Sequence, residues 1–298
     1  MRRAISLLLL LAATLPLGES PARSQGKVQM NGIGLVDYTR KPDFKVGDWV
    51  KYRMSSESEM GMTDDFVLTL IVAGEEDFWG DPGFWLETWV DRPGRPPEAR
   101  ASLMSYEIFS DSSAIDKLML YMRKTITTLD DSGKPRIDIN KPATSTLKAR
   151  YEVKNPVKWT REALGADTVQ TPRGTFNAQV YLFKQGKGVT QTVGDSTIYT
   201  EVREDRKGWY ATEIPITHLA REDITTSSSR KSWMIGRSGD VTKLNIRDQG
   251  VGTARLLDYG SGIQPRLLPP HLRKSFAEQR AAERAPARVA RPTAVKKQ

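Results

Sequence analysis

Apolar and polar positions alternate in short runs along most of the chain, and turn-forming clusters separate the runs. Between Val46 and Ile263 the punctuation includes Val46-Gly47-Asp48, Gly80-Asp81-Pro82-Gly83, Asp91-Arg92-Pro93-Gly94, Gly186-Lys187-Gly188 and Gly239-Asp240. These residue types set turn dihedrals or bond their own backbone. Many short strands at this spacing predict an antiparallel sheet system. Several strands are apolar on both faces. In the run from Phe66 to Val72, Phe66, Leu68, Leu70 and Val72 share one face while Val67 and Ile71 flank Thr69 on the other. In the run from Phe84 to Val90, Phe84, Leu86 and Val90 oppose Trp85 and Trp89. A sheet wetted on one side would alternate cleanly. Two-sided strands need cover on both faces, from a second sheet or from a sheet curled around an apolar interior that a helix closes.

The period changes once. From Ser113 to Ile126, Ile115, Leu118, Met119, Met122 and Ile126 fall on one face of a helix, with Ser112 or Ser113 as N-cap and Asp116 in the first turn. One amphipathic helix in a β-rich chain reads as a lid, or as a helix packed on the sheet's core. The fold expected is mainly β: a curved antiparallel sheet, an incomplete barrel, with one lid helix around 113–126. The expected organisation is a signal peptide (1–24), an N-terminal arm (25–45), a single β-rich domain (46–263) and a basic disordered tail (264–298), in which Phe276 to Ala285 could form a short helix, marginal by itself at that length.

The first residues bear on compartment. Met1-Arg2-Arg3 precedes an apolar run from Ala4 to Leu15, broken by Pro16 and Gly18 and followed by Ala22-Arg23-Ser24. This is the layout of a secretory signal, with cleavage expected after Ser24. The run falls short of the ~20 apolar residues a membrane span needs. A periplasmic or extracellular location follows. The chain has no cysteine, which removes thiol nucleophiles, zinc-thiolate sites, disulfides and the acylated cysteine of a lipoprotein.

The net charge of +9 belongs to the ends of the chain. Residues 264–298 hold nine Lys or Arg against Glu278 and Glu283, while residues 25–263 carry 33 basic and 33 acidic side chains. A balanced body with no one-sign stripe argues against nucleic acid as partner. The basic tail fits peripheral contact with an anionic envelope surface, or a solubilising extension. A metal site or a Ser-His-Asp triad would have to use His218, since His271 lies in the tail; no Gly-x-Ser-x-Gly elbow, zincin spacing or phosphate loop is present. The acidic pairs Asp64-Asp65, Glu75-Glu76, Asp130-Asp131, Glu204-Asp205 and Glu222-Asp223 read as solvated turn residues. No catalytic group, cofactor or metal ligand emerges, and the expectation is a non-catalytic protein.

Three segments carry a resemblance. They are Phe44 to Tyr52, Thr171-Pro172-Arg173-Gly174-Thr175-Phe176 leading into Ala178 to Phe183, and Trp209-Tyr210-Ala211-Thr212-Glu213-Ile214-Pro215 followed by Ile216 to Ile224. Together they resemble exported bacterial proteins of the periplasmic lipoprotein-carrier (LolA/LolB-like) superfamily. The resemblance implies a strongly curved, unclosed sheet whose apolar concave face is covered by helices and receives acyl chains. Chain length and the basic tail stand outside that pattern. The expectation is therefore an exported soluble protein that binds a lipid or other hydrophobic ligand, with Phe66, Trp85, Trp89, Met119, Met122 and Tyr181 lining the cavity. The alternative is an interaction module of the cell envelope in which those aromatics fill a closed core.

Overall fold

The computed structural model describes residues 35–36, 42–59, 61–110, 118–127, 136–139, 160–193, 196–235 and 241–284. The expected signal peptide, most of the arm and the last residues of the tail lie outside these. Eleven strands form one sheet: β1 (Trp49–Ser58), β2 (Thr63–Phe78), β3 (Asp81–Asp91), β4 (Glu98–Ser105), β5 (Met122–Thr127), β6 (Arg136–Ile139), β7 (Thr160–Thr171), β8 (Gly174–Val193), β9 (Ser196–Tyr210), β10 (Leu219–Ile235) and β11 (Val241–Gly260). Their order across the sheet is β6-β5-β4-β3-β2-β1-β11-β10-β9-β8-β7. Two antiparallel meanders thus meet along β1 and β11. The sheet is curved and not closed into a barrel, as the resemblance implies.

Local sequence explains the hairpins. Trp79 and Gly80 join β2 to β3 with φ of 58° and 82°, positive at both turn positions, as the twist of a two-residue hairpin requires. In β1, Val50, Tyr52 and Met54 point to one face, and register carries that face through Phe66, Leu68 and Leu70 on β2. With Phe84, Leu86, Met104 and Met122 they form the inner core, all buried. Ala73, Phe78, Trp85, Ala101, Leu103 and Ile126 form a second buried cluster on the outer face.

Cover for both faces differs from expectation. Helix α1 is described over Leu118–Tyr121, residues 113–117 of the expected helix lie outside the described residues, and Met122–Thr127 is strand β5, paired with β4 and β6. The described part of the expected lid helix over 113–126 is one helical turn running into a strand, because residues 124–127 find backbone partners on both sides. The inner face is covered by Leu118 and Tyr121 of α1, by a 3₁₀ turn, Tyr106–Ser110, and by the β9–β10 loop from Ala211 to His218. Phe44, Phe84, Tyr106 and Phe109 pack with centroids 5.0–6.3 Å apart, the tilted geometry that aromatic quadrupoles favour.

The outer face is covered by a segment expected to be disordered. Beyond Gly262 the chain crosses that face as a strap and runs into helix α2 (Phe276–Arg284), within the stretch for which the sequence allows a marginal short helix. Glu87 is fully buried, and its carboxylate accepts the backbone N–H of Arg266 (2.7 Å), Leu267 (3.1 Å) and Leu268 (3.1 Å) and the indole N–H of Trp89 (2.6 Å). The Arg266 guanidinium lies 3.9 Å from the Trp89 ring centroid. Gly74 is required where the strap passes, since a Cβ there would sit 2.0 Å from the Leu272 carbonyl oxygen. Glu75 accepts the N–H of Phe276 (2.7 Å) and the hydroxyl of Tyr106 (2.6 Å), tying the strap's helix to the 3₁₀ turn.

The β9–β10 loop is held under strain. Ile214, Ile216 and Thr217 are buried, and Ile216 and His218 have φ of 67° and 52°. The left-handed region costs a β-branched residue about 1–3 kcal/mol. Tyr52 holds the loop down: its hydroxyl donates to the Leu219 carbonyl (2.7 Å) and meets Thr217 Oγ1 at 2.5 Å. Burial raises the Tyr52 phenol well above its ordinary range. A phenol raised in the folded state supports stability fully below about pH 10, and that support is lost as pH climbs beyond. Tyr52→Phe is expected to lower unfolding free energy by ~1 kcal/mol at neutral pH and to flatten its fall between neutral and strongly alkaline pH. Urea midpoints across that range check this; an unchanged alkaline slope contradicts it.

Candidate functional site

The described residues expected to line one cavity lie on different faces of the sheet. Phe66 and Met122 are buried in the inner core. Trp85 is fully buried on the outer face and Trp89 lies beside it under Arg266. The period of two along β3 sends Trp85 and Trp89 away from Phe84 and Leu86, so a single cavity cannot collect Phe66 together with the two tryptophans. The Met119 side chain lies outside the described residues. Tyr181 is half-buried on β8, 5.9 Å from the Tyr210 ring and 6.3 Å from Phe183, with the Arg161 guanidinium 3.8 Å over it. The acidic pairs also depart from expectation. Asp64-Asp65, Glu75-Glu76, Glu204-Asp205 and Glu222-Asp223 lie within strands, where most of their members hold arginines, Lys124 or the strap; Asp130-Asp131 lies outside the described residues. His218 is buried at a strand end, its Nε2 3.2 Å from Asp43.

The three segments that resemble exported carriers do converge. The turn after β7 carries Pro172 and Arg173 and closes on Gly174 with φ 127°. Arg173 pairs with Asp258 of β11 (3.0 Å) and covers the Tyr259 ring (5.3 Å), folding the end of β7 back toward β10 and β11. Between them lies an open cleft of about 450 Å³, walled by residues 167–172 of this hairpin and by Trp209, Ala220, Arg221, Arg255 and Leu256. Its floor, Val169, Trp209, Ala220 and Leu256, belongs to the inner core cluster that includes Tyr52. Trp209 lies at the end of β9, two residues before the strained loop, so one indole serves cleft and core.

The rim is charged. Trp209 Nε1 donates to Asp167 Oδ2 at 2.9 Å. The indole N–H, with the Thr168 backbone N–H and the charges of Lys207 and Arg221, holds the Asp167 carboxyl below the usual carboxylate range. Arg221 and Lys207 lie 4.4 and 4.8 Å from the Trp209 ring, attracted by its negative face. Asp223 accepts from Arg221 at 2.6 and 3.2 Å and pairs with Arg255 at 3.0 Å. An apolar floor with a rim richer in guanidinium and ammonium than in carboxylate suits an amphiphile. Among the described residues no group of three His, Asp or Glu could hold a metal, and no helix is long and apolar enough to cross a membrane.

Trp209 and the Thr171-to-Phe176 turn are conspicuous in the sequence, but their partners are not. Arg221 and Arg255 join the site through register, which local sequence does not specify; the only local signal is the charged run Arg221-Glu222-Asp223 opening a strand.

No family model matches the chain, and no curated protein matches it. Among solved structures, a LolA superfamily protein from Nitrosomonas europaea is 11% identical, covering 82% of this chain and 98% of that one at a TM-score of 0.24. An exported protein with a YmcC-like fold from Bacteroides fragilis is 12% identical, covering 74% and 98% at a TM-score of 0.29. A DUF1329 family protein from Desulfovibrio piger is 10% identical, covering 75% and 89% at a TM-score of 0.26. The matches include the superfamily that the three sequence segments resemble.

Proposed function

We propose that the protein is an exported, non-catalytic carrier or binder of an amphipathic ligand, taken into the cleft between the β7 hairpin and strands β10 and β11. The observation that carries this reading is the cleft itself, where an opening from solvent reaches the inner core cluster through Trp209, Val169 and Leu256. The driving force is apolar burial, about 25 cal/mol per Å², and the strained loop from Ala211 to His218 is the element that yields to admit a chain, since its backbone already stores strain. Titration with a fluorescent fatty acid tests it. The chain should take up probe saturably, and bromination of the acyl chain should quench tryptophan emission in the parent protein but far less in Trp209→Phe. Absence of saturable uptake, or equal quenching in both proteins, overturns the assignment to this cleft.

A further inference from the structure

Register places three arginines in one row. Arg221 on β10 lies opposite Arg255 on β11, which lies opposite Arg53 on β1. The row continues from Arg221 to Trp209 on β9 and Val180 on β8. Side chains directly opposite on adjacent strands stand ~5 Å apart, and like charges in such pairs destabilise a sheet. Asp65 occupies Arg53 at 2.8 and 3.1 Å, whereas Asp223 is shared between Arg221 and Arg255. Each guanidinium carries five N–H donors in a fixed fork, and one shared carboxylate spends few of them. Both side chains remain open to solvent, 37% and 40% exposed, and both line the cleft. Arg221 is steadied against Trp209 and Lys207 flanks the same ring. The carboxylates facing the position are Asp223 and Asp167, and three cations outnumber them there.

We propose that Arg221 and Arg255, with Lys207, form an anion subsite at the mouth of the cleft that takes the phosphate or carboxylate group of the bound molecule. This deepens the amphiphile reading and rests on it for the lipid source of the anion. Planar forks recognise such oxyanions with paired hydrogen bonds, and an anion bridging two opposed guanidiniums relieves the repulsion that the register imposes. An acyl chain attached to it extends toward Val169 and Leu256.

The test compares the full exported chain with Arg255→Gln. Arg255 is the safer variant because Arg221 also packs on Trp209. Equilibrium dialysis below micellar concentration uses four probes: oleate, oleoyl lysophosphatidate, uncharged monoolein and inorganic phosphate. The parent chain should bind the two anionic lipids at least about tenfold more tightly than monoolein, the scale of one charge-assisted contact. Arg255→Gln should abolish that preference while keeping monoolein affinity and the thermal transition. Equal affinity for oleate and monoolein, or a preference that survives Arg255→Gln, overturns the subsite. Phosphate binding that competes fully with lysophosphatidate and is lost in the variant supports the anion site but assigns it to a free anion. Should no lipid probe bind, the amphiphile reading fails, and the phosphate arm alone decides the arginine pair.

Discussion

Replacing Glu87 with alanine is expected to release the C-terminal strap and lower unfolding free energy by roughly 3 kcal/mol or more. The carboxylate is fully buried and accepts four N–H groups, three of them consecutive backbone amides of the strap. Hydrogen bonds to a charged acceptor are worth about 1.5–3 kcal/mol each, but donors that lose one acceptor relax together, so the sum is far from additive. Leu268, buried beneath the strap, and Trp89 beside Arg266 become exposed as it lifts. Trypsin should then cut at Arg266, Arg273 and Lys274 at enzyme levels that leave the parent chain intact. Glu87→Gln, which keeps the shape and loses the charge, should fall between the two. Equal protease resistance of Glu87→Ala and parent would mean that the strap holds without its carboxylate.

Trp85→Ala is expected to cost about 3–5 kcal/mol, the range for truncating a large buried aromatic. The indole is fully buried among Phe78, Leu103 and Ile126 beneath Leu268, and its Nε1 donates to Glu76 Oε2 at 3.0 Å. Trp79→Ala supplies the contrast: that ring is 70% exposed and stacks only on Phe78, 4.7 Å between centroids. Its effect should stay within about 0.5 kcal/mol. Urea unfolding of the two variants separates a structural Trp85 from a ligand-lining one. A Trp85→Ala protein of parental stability that has lost ligand uptake would return Trp85 to the binding site and refute the outer-face assignment.

Much of the sheet is legible in the chain because β1, β2 and β3 announce their faces through a period of two, and the Gly and Pro clusters mark their turns. Two-sided apolar strands also signal that both faces are covered. What covers them is not legible. Residues 113–126 carry a helical spacing that is local, yet Lys124–Thr127 gains a ladder on each side from β4 and β6, and pairing across the sheet overrides the local period there. The strap looks unstructured because it has few large apolar residues; its anchor is Glu87, far away in sequence and an acid of a type normally solvated. The cleft is hidden for the same reason. Its arginines belong together only through register, whereas Trp85 and Trp89 attract notice by their size and turn out to face the other way.

An amphiphile held in the β7–β11 cleft should travel with the protein through purification. Native mass spectrometry tests this on the chain exported to a bacterial periplasm with its own N-terminal segment, purified without detergent, before and after organic extraction. The expected result is a discrete adduct in the lipid mass range that extraction removes and added oleate or lysophosphatidate restores, with restoration weakened in Arg255→Gln. A clean apo mass that takes up neither lipid contradicts it.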